Sequence, residues 1–259
     1  MTGLIKGKKI LVMGVANKWS IGWGIADRFI DEGAEVIFSY FDERNRKSIE
    51  KLLSGKGLNP EDFGIYKCDV AEKEDFENLF EIIAKDHGKL KGVVHSIAYS
   101  NKDELRGKYY DTSKDGYLLA QEISSFSFVE TAKYAKEVLE ENGTLMALSY
   151  YGGEKVIKNY NVMGVAKAAL EASVKYLAND FGEVGIRVNA ISAGPIKTMS
   201  AKGVGQFDLI AKGFIERAPL KRMVTLEDLG NSALYLMSDL SSGVTGEILH
   251  VDCGFNITG

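Results

Sequence analysis

The feature that most restricts the fold is a repeat of short apolar runs separated by helix-spaced segments. Runs such as ILVMG (10–14) and GVVHSIA (92–98) lack the polar alternation of a half-exposed strand. They read as strands covered on both faces, which is the habit of parallel sheets. Strands are predicted at 8–14, 35–41, 64–69, 90–99, 144–151, 187–192 and 247–251, with helical spacing at 21–32, 42–53, 71–86, 112–141, 160–181 and 207–216. Strand and helix alternate with no linker, repeat or low-complexity stretch between them. The expectation is one α/β domain, a Rossmann-like doubly wound parallel sheet of about seven strands. Only 193–220 breaks the alternation, opening on Gly194-Pro195 and continuing through small and polar residues. It reads as a mobile segment at about 193–217 that covers a ligand, or as a surface loop.

Composition removes several classes of function. The chain has 259 residues, 45% apolar and 26% charged, with a net charge of -4 and no long basic run. Nothing there suggests nucleic acid. No apolar run approaches bilayer length, and the start reads as a strand and a glycine turn, not as a secretion leader. Cys68 and Cys253 fit reduced thiols, so a cytoplasmic location is expected. His87 reads as exposed before Gly88, and His95 and His250 as strand residues. All three stand apart from any acid or cysteine at metal-ligand spacing, and no metal site is expected.

The strand ends suggest a dinucleotide. The first strand runs into Gly14, and Ser20 and Ile21 open the helix that follows, a favourable place for a pyrophosphate. Ser20 is placed to cap that helix and Gly33 to end it. The G-x-G-x-x-G spacing is absent, since only Gly22 and Gly24 follow. Strand two ends in Tyr40-Phe41-Asp42, where an acid can take ribose hydroxyls. Arg44 and Arg46 can instead meet a 2'-phosphate, so NADH is favoured with NADPH left open. Asp69 ends strand three, next to Val70, and is placed for an adenine amino group. Ser96 and Ile97 end strand four, where a backbone can pass close to a cofactor.

The reacting groups are expected between 149 and 181. Tyr150 and Tyr160 flank the glycine pair Gly152-Gly153. Tyr160, Met163, Leu170, Val174, Leu177 and Phe181 mark one helical face, and Lys167 lies on it. A lysine there either snorkels to water or holds its charge near a tyrosine hydroxyl in a cleft. In the second case the ammonium favours the phenolate and makes the phenol a better donor.

The Tyr-x-x-x-Lys spacing of general short-chain dehydrogenases is missing, because position 164 is glycine. Six residues separate Tyr160 from Lys167. With GVANKWSIGWGIA (14–26), CDVAE (68–72), HSIA (95–98), LSYYGGEKVIKNYNVMGVAKAALEA (148–172), RVNAISAGPIKT (187–198) and SDLSSGVTGEILHVDCGF (238–255), the chain resembles the bacterial NADH-dependent enoyl-[acyl-carrier-protein] reductases. These form a divergent branch of the short-chain dehydrogenases. The resemblance implies hydride transfer from NADH to the β-carbon of a trans-2-enoyl thioester carried by an acyl carrier protein. It implies that Tyr160 stabilises the enolate, Lys167 holds the nicotinamide ribose and Tyr150 lines the substrate side. Gly14, Ser20, Ile21, Phe41, Asp69, Val70, Ser96 and Ile97 become cofactor contacts, with Ile196, Lys197, Thr198, Met199 and Ser200 beside the nicotinamide. Ser100 and Met163 join the substrate side, and a homotetramer is expected. Phe41, often polar or basic in relatives, implies stacking on adenine, and Ala98 replaces a glycine. The competing readings are a carbonyl reductase, which predicts the shorter Tyr–Lys spacing, and a non-catalytic dinucleotide sensor, which does not need the pair.

Overall fold

The computed structural model describes residues 3–196 and 207–258. Seven parallel strands form one sheet in the order β3-β2-β1-β4-β5-β6-β7. They are β1 (Lys9–Met13), β2 (Glu35–Tyr40), β3 (Ile65–Lys67), β4 (Leu90–His95), β5 (Leu139–Ser149), β6 (Arg187–Ala193) and β7 (Ile248–Val251). Chain order reverses between β1 and β4, so the carboxyl ends of these two strands open the crevice where such sheets bind ligands. The helices are α1 (Ile21–Asp31), α2 (Glu43–Gly55), α3 (Lys73–Ile82), α4 (Lys114–Gln121), α5 (Ser127–Ala135), α6 (Asn161–Gly182), α7 (Phe207–Arg217) and α8 (Leu226–Met237).

Alternation along the strands divides the core in two. Ile10 and Val12 pack with Phe29 of α1, Leu53 of α2 and Leu229 of α8. Leu11 and Met13 point the other way, to Phe76 of α3, Phe128 of α5 and Leu170 of α6. Period-two side chains on a strand covered on both faces produce this division. Gly33 ends α1 at φ 81, with its amide on Ile30 O and that of Ala34 on Phe29 O. That is a Schellman ending, as the sequence predicts.

Three expectations need correction. The helical reading of 112–141 overruns: α5 stops at Ala135, and β5 begins at Leu139 with an irregular register between Leu90 and Gly92 of its partner β4. Helix α8 had no counterpart among the predicted elements, although Thr225 and Asp228 give it a complete capping box. Its glycine lets it approach α1 closely: a Cβ on Gly230 would lie 2.9 Å from Gly24 O. His87, read as exposed, is half-buried and hydrogen-bonded to Tyr66 Oη at 2.8 Å.

The fully buried His95 lies at the end of β4. Ser127 Oγ donates to Ile123 O (2.8 Å) and therefore accepts from His95 Nε2 (2.8 Å). Nδ1 is left as an acceptor without a partner among the described residues. Burial first, and the charge of Lys167 second, push this imidazole down to about 3. In the unfolded chain it returns to about 6.5. Its contribution to stability is therefore full above about pH 6.5 and is lost as pH falls towards 3. From pH 7 to pH 5 the loss is about 2 kcal/mol. Urea unfolding of the parent and His95→Gln at both pH values should show the parent losing that much relative to the variant. Parallel losses in both proteins would contradict it.

Candidate active site

At the crevice, Gly14 sits at φ 89, and a Cβ there would overlap the Ser96 carbonyl while coming 3.0 Å from Ile97 Cγ1. Only glycine permits both the dihedral and the approach. Ser96 is held there by its amide, which donates to Met13 O at 3.1 Å. Ser20 occupies the cap position of α1, but its hydroxyl turns back and donates to Asn17 O (2.6 Å). It closes the turn and leaves the helix uncapped. The Ile21 and Gly22 amides consequently have no acceptor among the described residues. With no acid in the first turn, this helix end suits an anion. A dinucleotide's pyrophosphate fits the glycine cradle and the free amides.

The neighbouring strand ends are partly committed. Asp42 Oδ1 caps α2 by accepting from the Asn45 amide at 2.8 Å, which removes part of the ribose-binding capacity expected of it. Phe41 is exposed and available for stacking. Arg46 is paired with Glu50 at 3.0 Å and lies over the Tyr40 ring, whereas Arg44 is exposed with no partner among the described residues. Asp69 Oδ1 accepts from the Ala71 amide (3.0 Å), leaving its other oxygen for a ligand. Val70 packs into the core beside Cys68, whose thiol burial pushes up to about 12. No group of His, Cys, Asp and Glu among the described residues can hold a metal ion.

At the other end of the crevice, β5 stops at Ser149 and Tyr150 follows in extended conformation. Tyr151 to Gly153 form a single 3-10 turn that lies against the start of α6. Three glycines make that contact possible. A Cβ on Gly152 would collide with the Tyr160 ring, one on Gly153 would lie 3.1 Å from the backbone at Lys167, and one on Gly164 would lie 2.8 Å from Gly152 O. Position 164 is where the general dehydrogenase spacing places its lysine. Here the turn blocks any side chain at that point.

Tyr160 is the residue before α6, and its ring meets that of Tyr150 edge to face, centroids 4.9 Å apart. Burial raises both phenols above the usual tyrosine range, Tyr160 further, with Tyr150 and Glu171 adding to its rise. Lys167 does not snorkel. It is 5% exposed, its Nζ donates to Leu148 O at 2.6 Å, and burial lowers it to about 8. The expected pull of this ammonium toward a phenolate is not what the structure presents: Tyr160 stays a neutral donor, because desolvation outweighs any nearby charge.

Tyr150 and Tyr160 come together around the glycine turn, and Met163 lies buried in the first turn of α6. Met163 Sδ is 3.6 Å from the hydroxyl of Ser124, which also accepts from the Tyr99 amide and so ties the loop after β4 to α6. Ser100 follows in that loop, half-buried. Ile196 packs, partly buried, against the core cluster to which α1 and α8 contribute. Lys197, Thr198, Met199 and Ser200, with the rest of 197–206 in the expected covering segment, lie outside the described residues. Its far end is anchored. Phe214 of α7 is 3% exposed, stacks on Phe255 at 4.8 Å, and lines a cavity of about 230 Å³ with Tyr150, Tyr151 and Arg217. Ser124 and Glu171 were missed from the sequence. Glu171 had a signal, a charge one turn beyond Lys167.

The sheet order and the glycine-cradled helix end define a dinucleotide-binding fold of the short-chain dehydrogenase class. A sequence model described as enoyl-(acyl carrier protein) reductase matches residues 14–256. The NADH-dependent enoyl-[acyl-carrier-protein] reductase of Bacillus cereus is 53% identical, with 99% of each chain covered. The NADPH-dependent one of Staphylococcus aureus is also 53% identical, over 97% of this chain and 98% of its own. The crystal structure of the Bacillus cereus reductase with NADP+ and indole naphthyridinone superposes with a TM-score of 0.96, at 53% identity and 99% coverage of both chains. That of the Anaplasma phagocytophilum reductase with NAD gives 0.93 at 46% identity, covering 99% of this chain and 96% of its own. The chain belongs to the enoyl-[acyl-carrier-protein] reductase family.

Gly14→Ala should weaken NADH binding about tenfold or more and cost about 1–3 kcal/mol of stability through the collision with Ser96. Calorimetric titration and urea unfolding measure the two effects, and parent-like values in both would rule the cradle out.

Proposed function

We propose that this enzyme reduces the carbon–carbon double bond of a trans-2-enoyl thioester carried by an acyl carrier protein, using NADH. The observation that carries the reading is the placement of Lys167. It lies about two turns beyond Tyr160 on the same face of α6, with position 164 closed by the Gly152 carbonyl. That is the enoyl reductase spacing, and the carbonyl reductase spacing has no room.

Bound NADH supplies a hydride to the β-carbon, and the thioester carbonyl takes up the charge as an enolate. The pyrophosphate would lie on Gly14, Ser20 and the Ile21 amide, with Phe41 stacked on adenine and Asp69 and Val70 at its edge. Ser96 and Ile97 would flank the ribose nicotinamide end, with Ile196, Lys197, Thr198, Met199 and Ser200 beside the ring. Lys167 spends one N–H on Leu148 O and has others for the ribose hydroxyls. Tyr160, neutral because its burial disfavours the phenolate, donates to the carbonyl oxygen as charge grows there, where a dry donor is worth most. Tyr150 shields that oxygen from water, and Ser100 and Met163 border the acyl chain. The α-carbon then takes a proton that originates in solvent, completing the addition of two hydrogens.

NADH is favoured over NADPH because Arg46 is committed within the protein to Glu50, which leaves Arg44 as the group for a 2'-phosphate. Exposed Leu118, Phe126 and Tyr176 offer apolar surface for self-association, and a homotetramer is the assembly the family resemblance implies. No helix among the described residues is long and apolar enough to cross a membrane, and a cytoplasmic enzyme is the reading we adopt.

NADH oxidation by the purified protein should proceed with a trans-2-enoyl thioester and fail with a 3-oxoacyl thioester. Turnover of only the latter would sink the proposal. Tyr160→Phe should lower kcat by about 100-fold or more and leave the NADH Kd nearly unchanged. Lys167→Ala should weaken NADH about tenfold. Parent NADH affinity should also fall as pH rises through about 8, where Lys167 loses its proton.

A further inference from the structure

One buried titratable group takes no part in the steps above. Glu171 lies one turn beyond Lys167 on α6 and is 8% exposed. Its Oε1 accepts the Ser149 hydroxyl at 2.5 Å. The two helix residues thus grip consecutive residues at the end of β5: Lys167 holds the Leu148 carbonyl and Glu171 holds the Ser149 hydroxyl. Tyr150 comes next, packed on Tyr160. The grip also needs Gly153, because a Cβ there would lie 2.9 Å from Glu171 Oε1.

The surroundings are polar in one direction only. Ser149, Ser192 and His250 are in register across β5, β6 and β7, forming a row on the α6 face of the sheet. His250 Nε2 meets Glu154 Oε1 at 2.6 Å, at the partly exposed edge. The charged or titratable groups acting on Glu171 are Lys167 on its own helix, Glu154 after the glycine turn and His250 on β7. Tyr160 feels it from the start of α6, and His95 on β4 faces Lys167 without its charge. Lys167 therefore has one nearby anion of any weight.

We propose that Glu171 is a positioning residue of the reducing site, a fixed anion that keeps Lys167 an ammonium ion and, through Ser149, clamps the end of β5 to α6. The proposal rests on the ribose role given to Lys167 above. Burial and the nearby Glu154 raise the Glu171 carboxyl, while the donated Ser149 hydroxyl, His250 and Lys167 favour the charged form. In return Glu171 opposes the desolvation that lowers Lys167. Removing the anion leaves the desolvation unopposed, so the ammonium is lost at lower pH.

The test is an NMR titration of the protein carrying carbon-13 at its lysine ε positions, without NADH or thioester, with the Lys167 signal assigned by its absence in Lys167→Arg. The parent midpoint is expected near 8. Glu171→Gln, which keeps an oxygen for Ser149 but no charge, should lower it by about one pH unit, and Glu171→Asp should restore most of the shift. Equal midpoints in parent and Gln variant, or equal shifts in the Gln and Asp variants, overturn the proposal. NADH affinity measured from pH 7 to 9 in the same proteins separates the two readings. Its alkaline loss should move with the lysine midpoint. A midpoint that moves without it overturns the ribose role of Lys167 and supports the assignment of Glu171.

Discussion

The contact on which the reacting end depends is backbone against backbone: the Tyr151–Gly153 turn pressed on the first turns of α6. Its three glycines contribute no side chain, and each of Gly152, Gly153 and Gly164 is there because a Cβ would intervene. Close approach of β5 to the helix brings the Leu148 carbonyl within reach of a lysine head and the Ser149 hydroxyl within reach of a carboxylate. It also sets the two tyrosine rings edge to face. A looser turn would leave Lys167 a surface residue, the reading its helix alone allows.

Burial rather than charge governs the chemistry of these groups. Desolvation lifts Tyr160, lowers Lys167 and holds His95 neutral, and in each case it is the first cause. The outcome is a neutral phenol and a neutral imidazole in a dry crevice, beside a lysine that gives up its proton more readily than usual. An enzyme that must steady a developing enolate benefits from a phenol that stays protonated until the charge arrives. A phenolate prepared in advance would repel it.

The fold was legible because parallel strands covered on both faces announce themselves as apolar runs, and 10–14 and 92–98 are clear cases. The tyrosine–lysine register was legible because helix periodicity is rigid. What escaped was tertiary. Nothing local reveals that the Ser20 hydroxyl would turn to Asn17, that Asp42 would cap α2, or that α8 would settle on α1 through Gly24 and Gly230. Glu171 went unread because its function lies in what it touches. Charged residues on buried faces deserve the same question that Lys167 received, and Glu171 was four positions away.

The glycines near the start of the chain look like a phosphate-binding motif with stretched spacing, yet they do not all answer to the same neighbour. Gly14 makes room for the Ser96 carbonyl, Gly22 approaches Gly14 O and Ser96, and Gly24 accommodates Leu226 of α8. Gly24 is therefore an independent character in an evolutionary sense, whereas Gly14 and Gly22 share Ser96 and are tied to each other. Drift in α8 could release Gly24 while Gly14 stayed fixed by the strand beside it. A search pattern written as a spacing would lose such a descendant, and one written as pairs of touching residues would keep it.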